Sequence, residues 1–147
     1  MDVYPDLKDL FELFNANKVD YMIVDGYALA FHAAPRYTGD IDIFVKPDAS
    51  NAARILKALD KFGFGSLGLA VADFNSPDKV VQLGVPLVRI DLVTSITGVS
   101  WDDAVARSIG GKYGNIPVKY IGREEFVVNK RSTGRKKDLA DLEALVE

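Results

Sequence analysis

The sequence predicts a mixed α/β or α+β domain in which helices flank a single mixed β-sheet. Segments with apolar residues at helical spacing alternate along the chain with short segments rich in valine, isoleucine and leucine. Such elements pack as layers around one sheet. A length of 147 residues fits one domain, and 48% hydrophobic residues are enough for a core. We therefore expect one domain over residues 1–147, with a C-terminal helical segment over residues 122–147.

Composition and charge exclude several classes of protein. The net charge of −3 gives no overall attraction to nucleic acid or to anionic membranes. The absence of cysteine excludes disulfides, zinc–thiolate sites and a cysteine nucleophile. The N-terminal sequence MDVYPDLKDL lacks the pattern of a signal peptide, and no apolar run reaches the length of a membrane span. We expect a cytoplasmic protein without a membrane partner.

The N-terminal half has the features of three helices and two strands. Leu7, Leu10 and Phe14 recur at the spacing of one helix face. Pro35 ends the second helix, and Asp48 suits the N-cap of the third. We expect helices over residues 5–17, 27–34 and 49–62, a strand over residues 19–24, a turn at residues 25–26, and a strand that carries residues 40–42 and runs to residue 45.

The C-terminal half contains further strands and three helices. Apolar residues at positions 88, 90 and 92 alternate with Arg89 and Asp91, which indicates a strand with one charged face. Ser100 suits a helix N-cap, and Gly134 separates the last two helices. We expect strands over residues 79–83, 87–93 and 116–121, helices over residues 101–108, 123–132 and 135–146, and a loop or hairpin turn over residues 110–115.

Two carboxylates lie close together on one predicted strand. Side chains two residues apart on a strand point to the same face, so Asp40 and Asp42 project together while Ile41 and Ile43 enter the core. Such a pair either faces water or binds a cation, and carboxylate oxygens suit Mg²⁺ or Mn²⁺. Asp91 would join the pair if its strand lies beside theirs.

Two stretches of the sequence resemble a known family. The first is DGYALAFHAAPRYTGDID at residues 25–42, and the second comprises REEF at residues 123–126 and NKRSTGRKKDLADL at residues 129–142. Together with the later Asp91, they resemble the nucleotidyltransferase-fold superfamily, which includes DNA polymerase beta. The likeness is greatest to small stand-alone prokaryotic members, including the toxin nucleotidyltransferases of abortive-infection systems.

The resemblance implies a nucleotidyltransferase-like domain that moves a nucleoside monophosphate from an NTP, such as ATP, to an acceptor. The acceptor, which the sequence does not identify, would be RNA, protein or a small molecule. The resemblance also implies two Mg²⁺ ions, one activating the acceptor oxygen and one neutralising the triphosphate. Their ligands, which are also the catalytic residues, would be Asp40, Asp42 and Asp91. The nucleotide-binding residues would be Gly26, Tyr27, Arg36, Thr38, Lys130 and Arg135.

Each of these residues also has an ordinary structural interpretation. Gly26 suits any tight turn between a strand and a helix. Arg36 would form a salt bridge with an aspartate, and the basic residues near Lys130 would lie on a solvated helix face. Asp138 would hold one of those cations in a salt bridge. His32 is expected to pack against the fold rather than to act as a catalyst.

One departure from the family pattern leaves alternatives open. Asp25 replaces the first glycine of the turn, where a carboxylate would repel a triphosphate. Asp25 would therefore point away, add a metal ligand or weaken NTP binding. The last case favours a catalytically degenerate protein that acts as a binding module or as a partner in a toxin–antitoxin pair. A Mg²⁺-dependent phosphohydrolase is a third interpretation, without a further motif in its support.

Overall fold

The computed structural model describes residues 3–32, 39–85 and 88–146. Six α-helices and six β-strands lie in these ranges. The helices are α1 (Pro5–Ala16), α2 (Asp25–His32), α3 (Ala49–Leu59), α4 (Trp101–Ala106), α5 (Arg123–Thr133) and α6 (Lys136–Val146). The strands are β1 (Tyr21–Val24), β2 (Asp40–Val45), β3 (Val80–Val85), β4 (Val88–Val93), β5 (Ile109–Tyr113) and β6 (Ile116–Tyr120). A π-helical turn (Asp60–Phe64) and two 3₁₀ turns (Gly65–Leu67 and Val71–Asp73) lie between α3 and β3.

All six strands form one mixed sheet in the order β3-β4-β2-β1-β6-β5. The pairs β1–β2, β3–β4 and β5–β6 are antiparallel, whereas β1–β6 and β2–β4 are parallel. The helices flank this sheet, so the predicted fold class is confirmed. The order matters for function because it makes β2 and β4 neighbours although more than 40 residues separate them along the chain.

Apolar periodicity accounts for the packing of the helices. Residues Leu7, Leu10 and Phe14 of α1 have no exposed surface, as their helical spacing predicted. In β2 the inward residues Ile41 and Ile43 are fully buried, whereas the alternate carboxylates are only partly buried. Ile41 and Ile43 therefore lie on one face of the sheet, in the core, and Asp40 and Asp42 lie on the opposite face.

Two predicted elements differ in kind from those observed. The helix expected over residues 49–62 ends at Leu59, and the chain continues as a π-helical turn in which Gly63 has a φ of +101°. Residues 110–113, predicted as part of a loop or hairpin turn, belong to strand β5. The glycines of this segment led to the prediction of a turn. Packing explains the glycine at position 111, because a Cβ there would lie 2.8 Å from the rings of Phe31 and Tyr120.

The other boundaries differ by a few residues. Helix α2 begins at Asp25 rather than at residue 27, and α6 begins at Lys136 rather than at residue 135. Strand β3 extends beyond the predicted end at residue 83. Residue 87 and residues 33–34, at the ends of other predicted elements, lie outside the described ranges. Within those ranges, the helices are too short or too polar to cross a membrane.

Candidate active site

The pairing of β2 with β4 brings three carboxylates together. In this parallel pair Asp42 lies opposite Asp91, and Asp40 lies opposite Arg89. One carboxylate oxygen from each of Asp40, Asp42 and Asp91 lies within 4.8 Å of the others. We call these three residues the acidic triad. The convergence that the sequence motifs implied is therefore present, and it depends on a strand order that brings a distant segment beside β2.

The triad has the properties of a cation site. Asp91 is only 6% exposed, and its Oδ1 atom is buried with no hydrogen-bond partner in the described part of the chain. Burial and the contact with Asp25 raise the pKa of the Asp42 carboxyl to about 8, and the charges of the other two triad members add to the shift. A buried carboxylate oxygen without a partner costs free energy, and a cation would remove that cost. Hard oxygen ligands of this kind fit Mg²⁺ or Mn²⁺.

An arginine already contacts two members of the triad. Nη2 of Arg89 donates to Oδ2 of Asp40 at 2.8 Å and to Oδ2 of Asp91 at 3.2 Å. The two carboxylates raise the pKa of the guanidinium further, with Asp91 making the larger contribution. The Arg89 side chain is 52% exposed, so solvent reaches these ion pairs. The sequence identified Arg89 as a neighbour of Asp91 but gave no sign that it bridges to Asp40 on another strand.

The strand-to-helix turn at the start of α2 contains an unusual backbone conformation. Asp25 has a φ of +62°, in the left-handed region where glycine is favoured. Its carboxylate contacts both the Asp42 carboxyl and the ammonium of Lys130. Burial alone would raise the pKa of Asp25, but the contacts with Asp42 and Lys130 lower it below its usual value. Asp25 therefore occupies a glycine-type position and ties the turn to α5.

Lys130 is the centre of a buried ion cluster. Only 2% of its side chain is exposed, and its Nζ contacts carboxylates of Asp25, Asp138 (3.2 Å) and Asp141 (3.3 Å). We call these four residues the lysine cluster. Burial lowers the pKa of the lysine, but its carboxylate partners outweigh that effect and raise it. The expected salt bridge of Asp138 with a nearby cation is confirmed, since Asp138 also pairs with Arg135 at 2.8 Å.

The remaining predicted nucleotide-binding residues have different surroundings. Gly26 lies buried in the first turn of α2. The Tyr27 ring is 2% exposed and packs against Tyr113, so a contact with a nucleotide would involve its backbone. Arg135 is 63% exposed. Arg36 and Thr38 lie outside the described residues.

A small cleft lies between the triad and the lysine cluster. Its volume is about 210 Å³, below the usual range of ligand pockets, so it suits the phosphate part of a ligand better than a whole nucleotide. Asp42 and Arg135 line it together with the polar side chains of Ser95, Thr97 and Asn129. The lining therefore contains both carboxylates and cationic groups, and its two cations, Lys130 and Arg135, are paired with carboxylates that also line it.

Sequence reasoning missed one pairing and one residue of the site. The pairing of Asp25 with Lys130 joins residues 105 positions apart, which no local pattern reveals. Asp141 was also missed, although Asp138 and Asp141 are three residues apart and share one face of α6, where both are fully buried. His32, in contrast, has the structural role expected of it: its Nε2 is 2.7 Å from the carbonyl oxygen of Ile121.

Comparison with known proteins supports the same fold. No protein-family model matches the sequence, and no curated protein matches it. Among solved structures, the chain is similar to TM1012 from Thermotoga maritima, a proposed nucleotidyltransferase, with a TM-score of 0.64 and 16% identity over 95% of this chain and 89% of that one. It is also similar to the antibiotic-resistance factor ANT(2'')-Ia, with a TM-score of 0.62 and 10% identity over 95% of this chain and 80% of that one.

A third similar structure is the lincosamide antibiotic adenylyltransferase LnuA, determined with lincomycin bound. The TM-score is 0.57 and the identity 15%, and the match covers 100% of this chain and 99% of LnuA. These likenesses extend over nearly the whole chain, although the sequences have diverged widely. The chain therefore has the nucleotidyltransferase fold, as its sequence motifs predicted.

Proposed function

We propose that this chain is a Mg²⁺-dependent nucleotidyltransferase that moves a nucleoside monophosphate from an NTP to an acceptor. The observation that carries the proposal is the acidic triad, in which Asp42 and Asp91 meet across parallel strands. The buried Oδ1 of Asp91 supports a role as cation ligand, because it is without a partner among the described residues. The nucleotidyltransferase fold supports the choice of reaction over simple phosphate hydrolysis.

Asp40, Asp42 and Asp91 would hold two Mg²⁺ ions, which when bound would activate the acceptor oxygen and neutralise charge on the leaving pyrophosphate. The carboxylates orient the site because β2 and β4 fix their backbone positions. The partial burial of Asp42 and the near-complete burial of Asp91 exclude water from one side. Electrostatic interactions are stronger where water is excluded.

Cationic groups opposite the triad would receive the phosphates. Arg135 is the better placed of the two predicted contacts, because its exposed guanidinium lines the cleft. Lys130 also lines the cleft, but it would have to exchange one of its three carboxylate partners for a phosphate. The backbone N–H groups at the start of α2, near Gly26, would add the favourable end of the helix dipole.

A small molecule is the acceptor class that we favour. LnuA, an adenylyltransferase of antibiotics, matches this chain over 99% of its own length. A chain of this size therefore needs no additional domain to bind a small acceptor. RNA and protein remain the other two acceptor classes for the test below, and a cytoplasmic location remains a prediction.

Removal of single carboxylates tests the proposed function. Asp42→Asn and Asp91→Asn should each abolish Mn²⁺ binding, measured by electron paramagnetic resonance, and transfer of label from α-labelled NTPs to a panel of small molecules, tRNA and proteins. Asp9→Asn is the matched control, because Asp9 is an exposed aspartate of α1. Mn²⁺ binding that survives in both triad variants would contradict the assignment of the metal ligands.

A second candidate is a non-catalytic binding module or toxin–antitoxin partner with the same fold. The Asp25 carboxylate in the phosphate-binding turn favours it, because this charge would repel a triphosphate. Calorimetry with Mg²⁺ and a non-hydrolysable ATP analogue separates the two candidates. Magnesium-dependent binding in the micromolar range would support the enzyme, whereas no binding of any NTP analogue would support the module.

A further inference from the structure

Arg89 lies where a divalent cation would have to bind. Its Nη2 atom reaches one oxygen of Asp40 and one oxygen of Asp91, at 2.8 Å and 3.2 Å. These are two of the three carboxylates of the triad. A guanidinium so placed neutralises part of the charge that would otherwise drive the carboxylates apart. Arg89, a cation of the chain itself, thus partly neutralises the triad.

The arginine is held in a way that allows it to leave. Its side chain is 52% exposed, in contrast to Asp91, whose side chain is 8% exposed. Exposed ion pairs contribute little to stability because water competes for both partners. The backbone of Arg89 is paired within the sheet on both sides, with Asp40 of β2 and Gly84 of β3, so only the side chain is free to move. Release of the guanidinium would therefore leave the fold unchanged.

Arg89 satisfies the triad only in part. Arg89 uses the Oδ2 atom of Asp91, and the buried Oδ1 atom of the same carboxylate is left unpaired among the residues described. The arginine thus satisfies one oxygen of the Asp91 carboxylate, and the other oxygen is available to a different ligand. A divalent cation, with twice the charge, would satisfy both.

We propose that Arg89 is an internal counter-cation that holds the acidic triad together without metal and that a divalent metal ion must displace it. This inference rests on the proposed function, since it assumes that the triad binds metal. Arg89 then sets the metal affinity: the chain binds metal more weakly than the bare triad would, and a metal at sufficient concentration replaces the guanidinium. Arg89 acts through Asp40 and Asp91 and is a positioning residue.

Mn²⁺ affinity of the full chain tests the proposal. The variants are Arg89→Gln, which removes the charge, and Arg54→Gln, a matched control in which the lost ion pair is that with Asp20 at 3.3 Å. Binding of MnCl₂ alone is measured by electron paramagnetic resonance, and the Mn²⁺-induced rise in Tm by thermal unfolding. We expect Arg89→Gln to bind Mn²⁺ roughly fivefold more tightly, the factor that corresponds to about 1 kcal/mol of lost ion pairing. Its Mn²⁺-induced rise in Tm should also exceed that of the unaltered chain, and Arg54→Gln should change neither quantity.

Equal or weaker Mn²⁺ binding by Arg89→Gln, with binding by the unaltered chain intact, would overturn the role of Arg89 and leave the proposed function standing. Absence of Mn²⁺ binding in the unaltered chain and in Arg89→Gln would overturn both. If Arg89→Gln does not fold, Arg89→Lys is the second variant. It keeps the charge, but its shorter side chain lacks the Nη2 atom that reaches both carboxylates, so it should bind Mn²⁺ more tightly than the unaltered chain.

Discussion

Two cations in this molecule each bridge several carboxylates, yet their surroundings differ sharply. Arg89 is 52% exposed and pairs with two members of the acidic triad. Lys130 is 2% exposed and pairs with the three carboxylates of the lysine cluster. The ion pairs of Arg89 are therefore exchangeable, whereas those of Lys130 are structural. Burial decides between the two, because removal of one partner from a buried pair leaves an uncompensated charge away from water.

The two regions meet at Asp25. Its carboxylate contacts Lys130 on one side and Asp42 of the triad on the other. The helices α5 and α6, which supply the other three members of the lysine cluster, are thereby connected to the acidic triad on the sheet. This arrangement explains how a C-terminal helical segment can contribute to a site whose carboxylates lie on β2 and β4. The contrast between the two cations can be tested in three steps, beginning with the largest expected effect.

Replacement of Lys130 should have the largest effect on stability. Lys130→Met keeps most of the side-chain volume but leaves Asp138 and Asp141, which have no exposed surface, without their shared cation. We expect the free energy of unfolding to fall by about 3–5 kcal/mol, the usual cost of breaking a buried ion pair. Urea denaturation at pH 7 measures this change.

Lys57→Met is the control for that experiment, because Lys57 is an exposed lysine of α3. It should change the free energy of unfolding by less than about 0.5 kcal/mol. A similar small change for Lys130→Met would mean that the lysine cluster is no more structural than a surface ion pair, and the contrast with Arg89 would fail.

As the pH falls, the lysine cluster should lose more stabilising free energy than an exposed ion pair loses. Burial alone would raise the pKa of Asp138, but hydrogen bonds from Arg135, Thr133 and Lys130 lower it well below its usual value. A carboxylate whose pKa is lower in the folded state stabilises the fold above its unfolded pKa of about 3.9, and that stability is lost as the pH falls further. Below about pH 4 the unfolded chain binds the additional proton.

The variant Asp138→Asn isolates this contribution. At pH 7 it should lower the free energy of unfolding by about 1–3 kcal/mol, because Lys130 and Arg135 lose a charged partner. From pH 5 to pH 3 its stability should then decline less steeply than that of the unaltered chain, as measured by urea denaturation. The exposed Asp102→Asn serves as control, and parallel slopes for all three proteins would contradict the assignment.

Local sequence patterns predicted the helices and strands better than the contacts between distant elements. The apolar face of α1 follows directly from residue spacing and is observed. In β4 the apolar residues at positions 88, 90 and 92 are buried as predicted, although Asp91 between them is buried as well. Strand β5 was missed because Gly110 and Gly111 resemble turn residues. Gly111 is instead required by packing, because a side chain there would collide with the ring of Phe31 from α2. Contacts between distant segments have no signature in local periodicity.

The same limit applies to the site. The positions of Asp40, Asp42 and Asp91 could be predicted because a shared motif indicated them, and their convergence follows once β2 and β4 are neighbours. The bridges from Arg89 to Asp40 and from Lys130 to Asp25 could not be predicted, because they depend on distances across the sheet or between helices. The sequence shows which charges are present but not which of them are buried.

The last and smallest effect concerns Asp25, where the two regions meet. Asparagine tolerates the left-handed conformation of this residue, so Asp25→Asn removes the charge without straining the turn. The variant leaves Lys130 with one fewer carboxylate partner and removes a negative charge beside Asp42. We expect Mg²⁺-dependent binding of a non-hydrolysable ATP analogue to become roughly two- to fivefold tighter, since a screened charge contributes about 1 kcal/mol or less.

Lys18→Asn is the control for the turn, because Lys18 also has a left-handed backbone (φ +57°) and is an exposed residue that does not line the cleft. Calorimetry should show no change in ATP-analogue binding for this variant. Weaker binding by Asp25→Asn would show instead that the carboxylate contributes to the metal site. Asp25 would then belong functionally with the acidic triad. The structural ion pairs of Lys130 would be limited to those with Asp138 and Asp141.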